Sequence, residues 1–161
     1  MINNDVSIWI PTKDRPNFIL RILQYYTATG FRGKILIGDS SNEIYLEKNK
    51  ETIKYYSKLV CIYHYIYPDL GQGYVSSELV KKIDTEYSTF LSDDDIIITS
   101  VFDEALSVLN KNKDVSGVNG KSILLQVEND EAYGKIVFKK NYFNFYIMTM
   151  EVNSLIGYMI A

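Results

Sequence analysis

An alternation of short apolar runs with helical periodicity restricts the fold of this chain more than any other feature. Val6 to Ile10, Lys34 to Gly38, Leu59 to Tyr67 and Tyr87 to Leu91 read as strands, being short, rich in β-branched and aromatic residues and bounded by turn residues. Between them apolar residues recur at helical spacing. Ile19, Ile22, Leu23 and Tyr26 follow Pro16, which suits a first helical position, and Gly30 closes that helix. A second helix is expected from Glu43 to about Ser57, behind the turn chemistry of Asp39-Ser40-Ser41-Asn42. Val75, Leu79, Val80 and Ile83 mark a third. Ala105, Leu106 and Leu109 mark a fourth, which Ser100 and Asp103 would open as a capping box. Val115 to Val118 reads as a further short strand.

This order predicts an α/β fold: a mostly parallel sheet flanked by helices on both faces, with right-handed crossovers. Beyond Gly120 the pattern changes. Ile123 to Val127, Lys135 to Phe138 and Tyr142 to Met150 read as strands with no helices between them, and Asn129 to Tyr133 is a turn-like acidic link. A small mixed or antiparallel C-terminal extension is expected there.

The 161 residues suit one domain, and 47% apolar residues are enough for a core. A net charge of −3 and a pI near 5.2 argue against nucleic acid as a partner, which calls for a basic surface. The single cysteine, Cys61, cannot form an internal disulfide; it is expected as a small core residue, in keeping with a reducing cytoplasm. No signal peptide and no apolar run long enough to span a membrane is visible, so the expected location is cytoplasmic, at most peripheral to a membrane.

In an open parallel sheet, ligands bind at the carboxyl ends of the strands. Polar residues collect at those ends: Thr12, Asp14 and Arg15 after the first strand, Asp39, Ser40 and Ser41 after the second, Asp69 after the third, and Asp93-Asp94-Asp95 after the fourth. Adjacent carboxylates repel each other unless a positive charge lies between them. Mg²⁺ and Mn²⁺ take oxygen ligands and bridge to substrate phosphates, so an Asp-x-Asp element after a buried strand is a candidate metal loop. The competing reading is a solvated acidic loop that favours the N-terminal dipole of the following helix.

Other chemistries lack their residues. The first strand-to-helix turn has no glycine, so the dinucleotide fingerprint is missing, and no Gly-x-x-x-x-Gly-Lys-Ser/Thr phosphate loop occurs. Gly71-Gln72-Gly73, with Ser76 in place of a third glycine, is only a partial glycine motif and reads mainly as a turn. The one histidine, His64, lies mid-strand and reads as structural, and nothing accompanies it and Cys61 to complete a zinc site.

Three of these segments resemble family-2 glycosyltransferases of the GT-A fold. Val6 to Pro16 resembles their opening strand running into Pro-Thr-x-Asn-Arg. Gly38-Asp39-Ser40-Ser41 resembles their Asp-Asp-x-Ser element, and Glu86 to Asp95 resembles their Gly-Glu-Tyr-Ile-x-Phe-Leu-Asp-x-Asp-Asp segment. The three come in the family's order and cover about residues 5–120. The resemblance implies that Pro11 and Thr12 line a nucleoside, that Asp39 contacts its base, and that the aspartates after the fourth strand hold ribose and a metal-bound diphosphate. Asp94 and Asp95 match the metal positions best, with Asp93 adjacent. Together with the strand-end residues Asp14, Arg15 and Asp69, these are the candidate nucleotide site. The departures are Gly38 for the first aspartate, Ser92 for the leading aspartate of the metal loop, Ser76 and Ser77 for a common Arg-Asn, and Lys13 for a common aromatic. They leave the nucleotide type open.

What the resemblance implies is a metal-dependent transferase. It would move a sugar from a nucleotide-sugar donor, a UDP-sugar first, to an acceptor hydroxyl with inversion, in glycan or surface polysaccharide synthesis. Residues 1–120 would be the nucleotide-sugar-binding half and 121–161 the start of an incomplete acceptor half, in one GT-A-like domain. The base is unassigned; Asp130, Glu131 and Glu151 are candidates outside any motif. The alternative is a truncated noncatalytic module that binds nucleotide sugar or serves dimerisation. A sugar-nucleotide synthesising enzyme would need a glycine-rich first loop, which Thr12 to Pro16 lacks. The apolar stretch from Tyr142 to Tyr158 needs a partner surface, so self-association through residues 142–161 is expected.

Overall fold

The computed structural model describes residues 5–120, 122–128 and 131–142. The chain runs β1 (Val6–Thr12), α1 (Pro16–Ala28), β2 (Lys34–Asp39), α2 (Glu43–Tyr56), β3 (Cys61–Ile66), α3 (Gln72–Val80), β4 (Tyr87–Phe90), α4 (Ser100–Lys111), β5 (Ser122–Val127) and β6 (Ile136–Tyr142). β1 to β4 form one sheet in the order β3-β2-β1-β4, with every pairing parallel. β5 and β6 form a separate antiparallel pair.

The apolar alternation within β1 and β2 explains the two layers. Ile8, Ile10, Ile35 and Ile37 face one way and meet Ile19, Ile22, Leu23 and Tyr26 of α1, Ile53 of α2 and Phe102 of α4. Trp9 and Leu36 face the other way and meet Val75 and Leu79 of α3, with Phe90 tilted against Trp9 at 4.9 Å between ring centroids. Helices therefore cover both faces, and β1, paired on both edges, is buried along its whole length. Gly30, at φ +69°, turns the chain after α1, where Phe31 donates its N–H to Tyr26 O.

Several expectations are corrected. Cys61 is exposed, because β3 is the sheet's edge strand and alternates between half-buried and exposed residues. Val115 to Val118 forms no strand; only Gly117 makes an isolated bridge. Ser100 does not cap α4 but is its first residue, after Thr99, and no side chain caps that end. Gly71 is the residue before α3, so the partial glycine motif is a helix start. Val80 points outward at 48% exposure. In the C-terminal region two of the three expected strands exist as an antiparallel pair. The third, beyond Tyr142, lies outside the described residues, as do Asp130, Glu151 and nearly all of the stretch expected to self-associate.

Two positions in the sheet shape what lies above it. Alternate residues of β1 turn their backbone groups to alternate neighbours: Trp9 O accepts from Leu91 N after β4, and Thr12 O accepts from Ser40 N after β2. By that alternation Pro11 faces the β4 side, where it has no N–H to offer, and β1 and β4 part beyond the Trp9–Phe90 pair. On the opposite side of β1, Gly38 of β2 lies directly under α3. A Cβ there would come within 2.4 Å of Val75 Cγ1 and 2.9 Å of Leu79 Cδ1. Gly38, where the resembling motif has an aspartate, lets α3 pack onto the bare backbone. Gly38→Ala is expected to destabilise the fold by about 1–3 kcal/mol, the scale of overpacking a filled core. Urea unfolding checks this, and an unchanged midpoint would show that α3 yields freely.

Candidate functional site

The carboxyl ends of β1, β2 and β4 enclose a cavity of about 260 Å³. Its walls are Pro11, Thr12, Lys13 and Arg15 from the end of β1, Ser40 after β2, Gln72 at the start of α3, and Ser92 and Asp93 after β4. The sheet order reverses at β1, whose neighbours are β2 on one side and β4 on the other. The crevice therefore opens where β1 and β4 separate, the topological switch point of such a sheet.

One buried carboxylate organises the β2 side. Asp39 has no solvent exposure. Its Oδ1 accepts from Ser41 N at 2.9 Å, and its Oδ2 accepts from Asn49 Nδ2 at 2.8 Å and pairs with His64 Nε2 at 3.0 Å. Burial pushes the Asp39 carboxyl up, but hydrogen bonds from His64, Ser41 and Asn49 outweigh it and hold the group below its ordinary value. From Asp39 the bonding continues outward. Ser41 Oγ accepts from Asp14 N at 2.8 Å, Asp14 Oδ1 accepts from Asn42 N at 2.8 Å, and Ser40 donates its N–H to Thr12 O at 3.0 Å. Asp14 sits at φ +58°, a conformation that aspartate tolerates better than most residues. The β1–α1 and β2–α2 loops are thereby laced together.

A second centre joins β1 to β4. Thr12 Oγ1 donates to Asp93 Oδ2 at 2.7 Å, and Arg15 Nη1 donates to Asp93 Oδ1 at 2.6 Å and to Asp94 Oδ2 at 3.3 Å. Ser92 Oγ donates to Asp94 Oδ1 at 2.6 Å. The Arg15 guanidinium also lies over the Phe18 ring, 3.9 Å from its centroid. Arg21 braces the same loop from below, donating to Asp94 O at 2.6 Å and to Ala132 O at 3.2 Å. Burial raises the Asp93 carboxyl, and Thr12 and Arg15 only partly offset it. Asp94, also pushed up by burial, is brought below its ordinary value by Ser92 and Arg15. Burial and the Asp94 charge raise Asp95, against a smaller pull from Arg21.

The expected site residues sort into three groups. Pro11, Thr12, Arg15 and Asp93 line the crevice. Asp14 and Asp39 stand behind it and hold its loops. Asp94 and Asp95 are exposed on the adjoining loop, and Asp69, exposed in the turn after β3 at φ +59°, does not line the crevice. Lys13, Gln72, Ser40 and Ser92 line it without having been singled out as ligand contacts. Asn49 and His64 were missed as the partners of Asp39. For His64 the structure supplies the register: mid-β3 it pairs opposite Ile37, two residues before Asp39. Asn49 had only a weak cue, a polar residue at a position where α2 turns inward.

Among the described residues, no group of three or more His, Cys, Asp or Glu side chains is arranged to hold a metal ion. Divalent cations in phosphate-handling sites often take one or two carboxylates and draw further ligands from the substrate. Asp93 and Asp94 already converge on one positive group, the Arg15 guanidinium. Asp95 is exposed; its backbone N–H donates to Ser92 O, and its carboxylate makes no hydrogen bond among the described residues. Among the described residues these carboxylates form no protein cage for a metal ion.

Asp39→Ala would leave the Ser41 N–H, the Asn49 amide and the His64 ring without their acceptor. The expected cost near neutral pH is about 3 kcal/mol, the upper end for buried groups left unpaired. Because the folded Asp39 carboxyl lies below its unfolded value, its stabilisation is present above the unfolded value and is lost as pH falls through the folded one. The stability gap between wild type and variant should therefore narrow in acid. Urea unfolding at neutral pH and below the ordinary carboxylate range measures this, and an equal gap at both would contradict it.

No protein-family model matches the chain, and no curated protein matches it. Solved structures do. A structure of S. aureus TarS, residues 1–349, superposes with a TM-score of 0.61 at 16% identity, covering 81% of this chain and 38% of that one. A second S. aureus TarS structure superposes with a TM-score of 0.55 at 17% identity, covering 78% of this chain and 24% of that one. TarS is a GT-A glycosyltransferase. The chain spans well under half the length of either structure, and at such identities the likeness is one of fold. Among the described residues no helix is long and apolar enough to cross a membrane. The chain thus shares its fold with S. aureus TarS over 81% of its length, and in this chain that fold is a parallel sheet in the order β3-β2-β1-β4 flanked by helices.

Proposed function

We propose that this chain binds the nucleotide part of a sugar donor in the β1–β4 crevice and serves sugar transfer from that donor to an acceptor hydroxyl. The observation that carries the reading is the crevice's position and lining. It lies at the switch point of a GT-A-like sheet, with Thr12, Arg15 and Asp93 of the resembling motifs bonded together in one wall. Lys13 and Arg15 supply positive charge for a diphosphate, and Thr12, Ser40 and Gln72 supply hydrogen-bonding groups for sugar or base hydroxyls and carbonyls. Asp39, buried with both oxygens engaged, acts on the base through the Ser40–Ser41 loop that it positions. The choice of uracil rests on the resemblance alone.

Asp94 and Asp95 would hold a divalent cation, Mn²⁺ or Mg²⁺, jointly with the diphosphate. When bound, the cation stabilises the departing nucleotide as a Lewis acid. Inverting transfer also needs a carboxylate that takes the acceptor's proton. The glycan acceptor, the inverting outcome and the division into a donor half over 1–120 and an acceptor region over 121–161 follow the resemblance.

A second reading, donor binding without transfer, is favoured by one observation. Among the described crevice-lining residues the only carboxylate is Asp93, which is already committed to Thr12 and Arg15. Turnover of a UDP-sugar onto an oligosaccharide acceptor separates the two readings.

Donor binding itself is read by thermal unfolding. A nucleoside diphosphate at a hundred times its Kd should stabilise the fold by about 2.7 kcal/mol. UDP with Mn²⁺ is expected to raise Tm, and Lys13→Ala is expected to weaken UDP by about tenfold or more, the scale of one charge-assisted hydrogen bond. No shift with any nucleoside diphosphate at millimolar concentration would sink the donor reading.

A further inference from the structure

The loop after β4 carries Asp93 and Asp94, yet its backbone is held from α1. Arg21 Nη2 donates to Asp94 O at 2.6 Å, Tyr26 Oη accepts from Ile97 N at 3.2 Å, and Tyr25 Oη accepts from Thr99 N at 3.3 Å. Arg21 has a second attachment. Its Nη1 donates to Ala132 O at 3.2 Å, in the turn between β5 and β6. The two carbonyls lie 73 and 111 residues from Arg21 in the chain and are brought together at this one guanidinium. The turn is seated beside it. Ala132 is buried, and Tyr133 Oη donates to Gln24 Oε1, three residues after Arg21 and so on the same face of α1. Arg21 itself is half-buried: its Nε is enclosed with no hydrogen-bond partner among the described residues, and its guanidinium lies over the Phe18 ring, 4.9 Å from the centroid. A planar fork whose donors are fixed in one plane passes a displacement of one carbonyl to the other, where a flexible ammonium would not.

We infer that Arg21 is a positioning residue that couples the β5–β6 turn to the loop after β4: one guanidinium holds both, so the turn sets where the wall carrying Asp93 and Asp94 stands. A shift of the turn draws on Asp94 O through the guanidinium, and Asp93, one residue earlier, moves with it against Thr12 and Arg15. The crevice then answers to an element that does not line it. A group that engages the C-terminal hairpin thereby alters the affinity of the crevice for a nucleotide. That consequence rests on the donor reading; the coupling itself rests on the bonds that Arg21 makes.

The test is a double-mutant cycle read by amide hydrogen exchange. Tyr133→Ala removes the hydroxyl that seats the turn on α1 and leaves the loop's own bonds in place. It is made in wild type, in Arg21→Gln and in Arg21→Lys, which keeps the charge but loses the fork and keeps the cycle readable if Arg21→Gln fails to fold. The amides of Ile97 and Thr99 report on the loop, and that of Ile10 in β1 reports on global stability. In wild type Tyr133→Ala should speed exchange at Ile97 and Thr99 by about threefold or more relative to Ile10, within the usual range for residues of one hydrogen-bond network. In either Arg21 background the same change should leave that ratio unaltered. No change in loop exchange on Tyr133→Ala in wild type, or the same acceleration with and without Arg21, overturns the inference. The second arm measures UDP by calorimetry across the same cycle. Affinity that falls on Tyr133→Ala in wild type but not in the Arg21 variants supports the coupling at the crevice. Affinity that Tyr133→Ala leaves unaltered, or lowers equally in every background, overturns its reach to the crevice while leaving the donor reading intact. UDP that binds none of the proteins sinks the donor reading, and the exchange arm then decides the coupling by itself.

Discussion

A carboxylate without solvent is tolerable only if its charge is answered on every side, and Asp39 is answered by a backbone N–H, an amide and a ring nitrogen. The three partners come from the turn after β2, from α2 and from β3, so a single charge ties three successive elements to one point. Ser41, oriented by Asp39, in turn receives the backbone of Asp14. The geometry of the first loop thus depends on a group that the ligand need never touch. Such a centre converts electrostatics into position, because any displacement of its members exposes an unpaired charge in a dry interior.

Across the crevice the balance is of a different kind. Arg15, Asp93 and Asp94 meet at the rim, in partial contact with water, where ion pairs are weaker and easily exchanged. One wall is therefore rigid and the other electrostatically labile. The gap between them exists because Pro11, at the end of the central strand, offers no N–H where β4 would otherwise continue to pair. A binding site arises here from a missing hydrogen bond as much as from those that are made.

Much of this was legible in the sequence, and the reasons for the remainder are specific. The parallel order followed from the alternation of strand-like runs with helical periodicity, which requires crossovers between successive strands. Thr12, Arg15 and Asp93 come together because a parallel sheet gathers strand ends along one edge. Cys61 was misplaced because hydropathy does not distinguish an edge strand from a central one. The strand expected at Val115 to Val118 failed because a short apolar run carries no information about whether a neighbour is available to pair with it. Asp39 was found but its role was altered: sequence placed it at the crevice, and only the positions of Asn49 and His64 reveal that it faces inward. Such partners lie 10 and 25 residues away in the chain, on elements whose rotation about their own axes no local pattern specifies.

Gly38 has a further consequence for the crevice itself. With no side chain between β2 and α3, the helix beds against the sheet, and its first residue, Gln72, becomes part of the wall facing Lys13 and Ser40. The residue at this position therefore acts as a spacer that sets the width of the opening. In a relative with an aspartate there, α3 would ride higher, the wall would stand back by about the thickness of a side chain, and a bulkier ligand would be admitted.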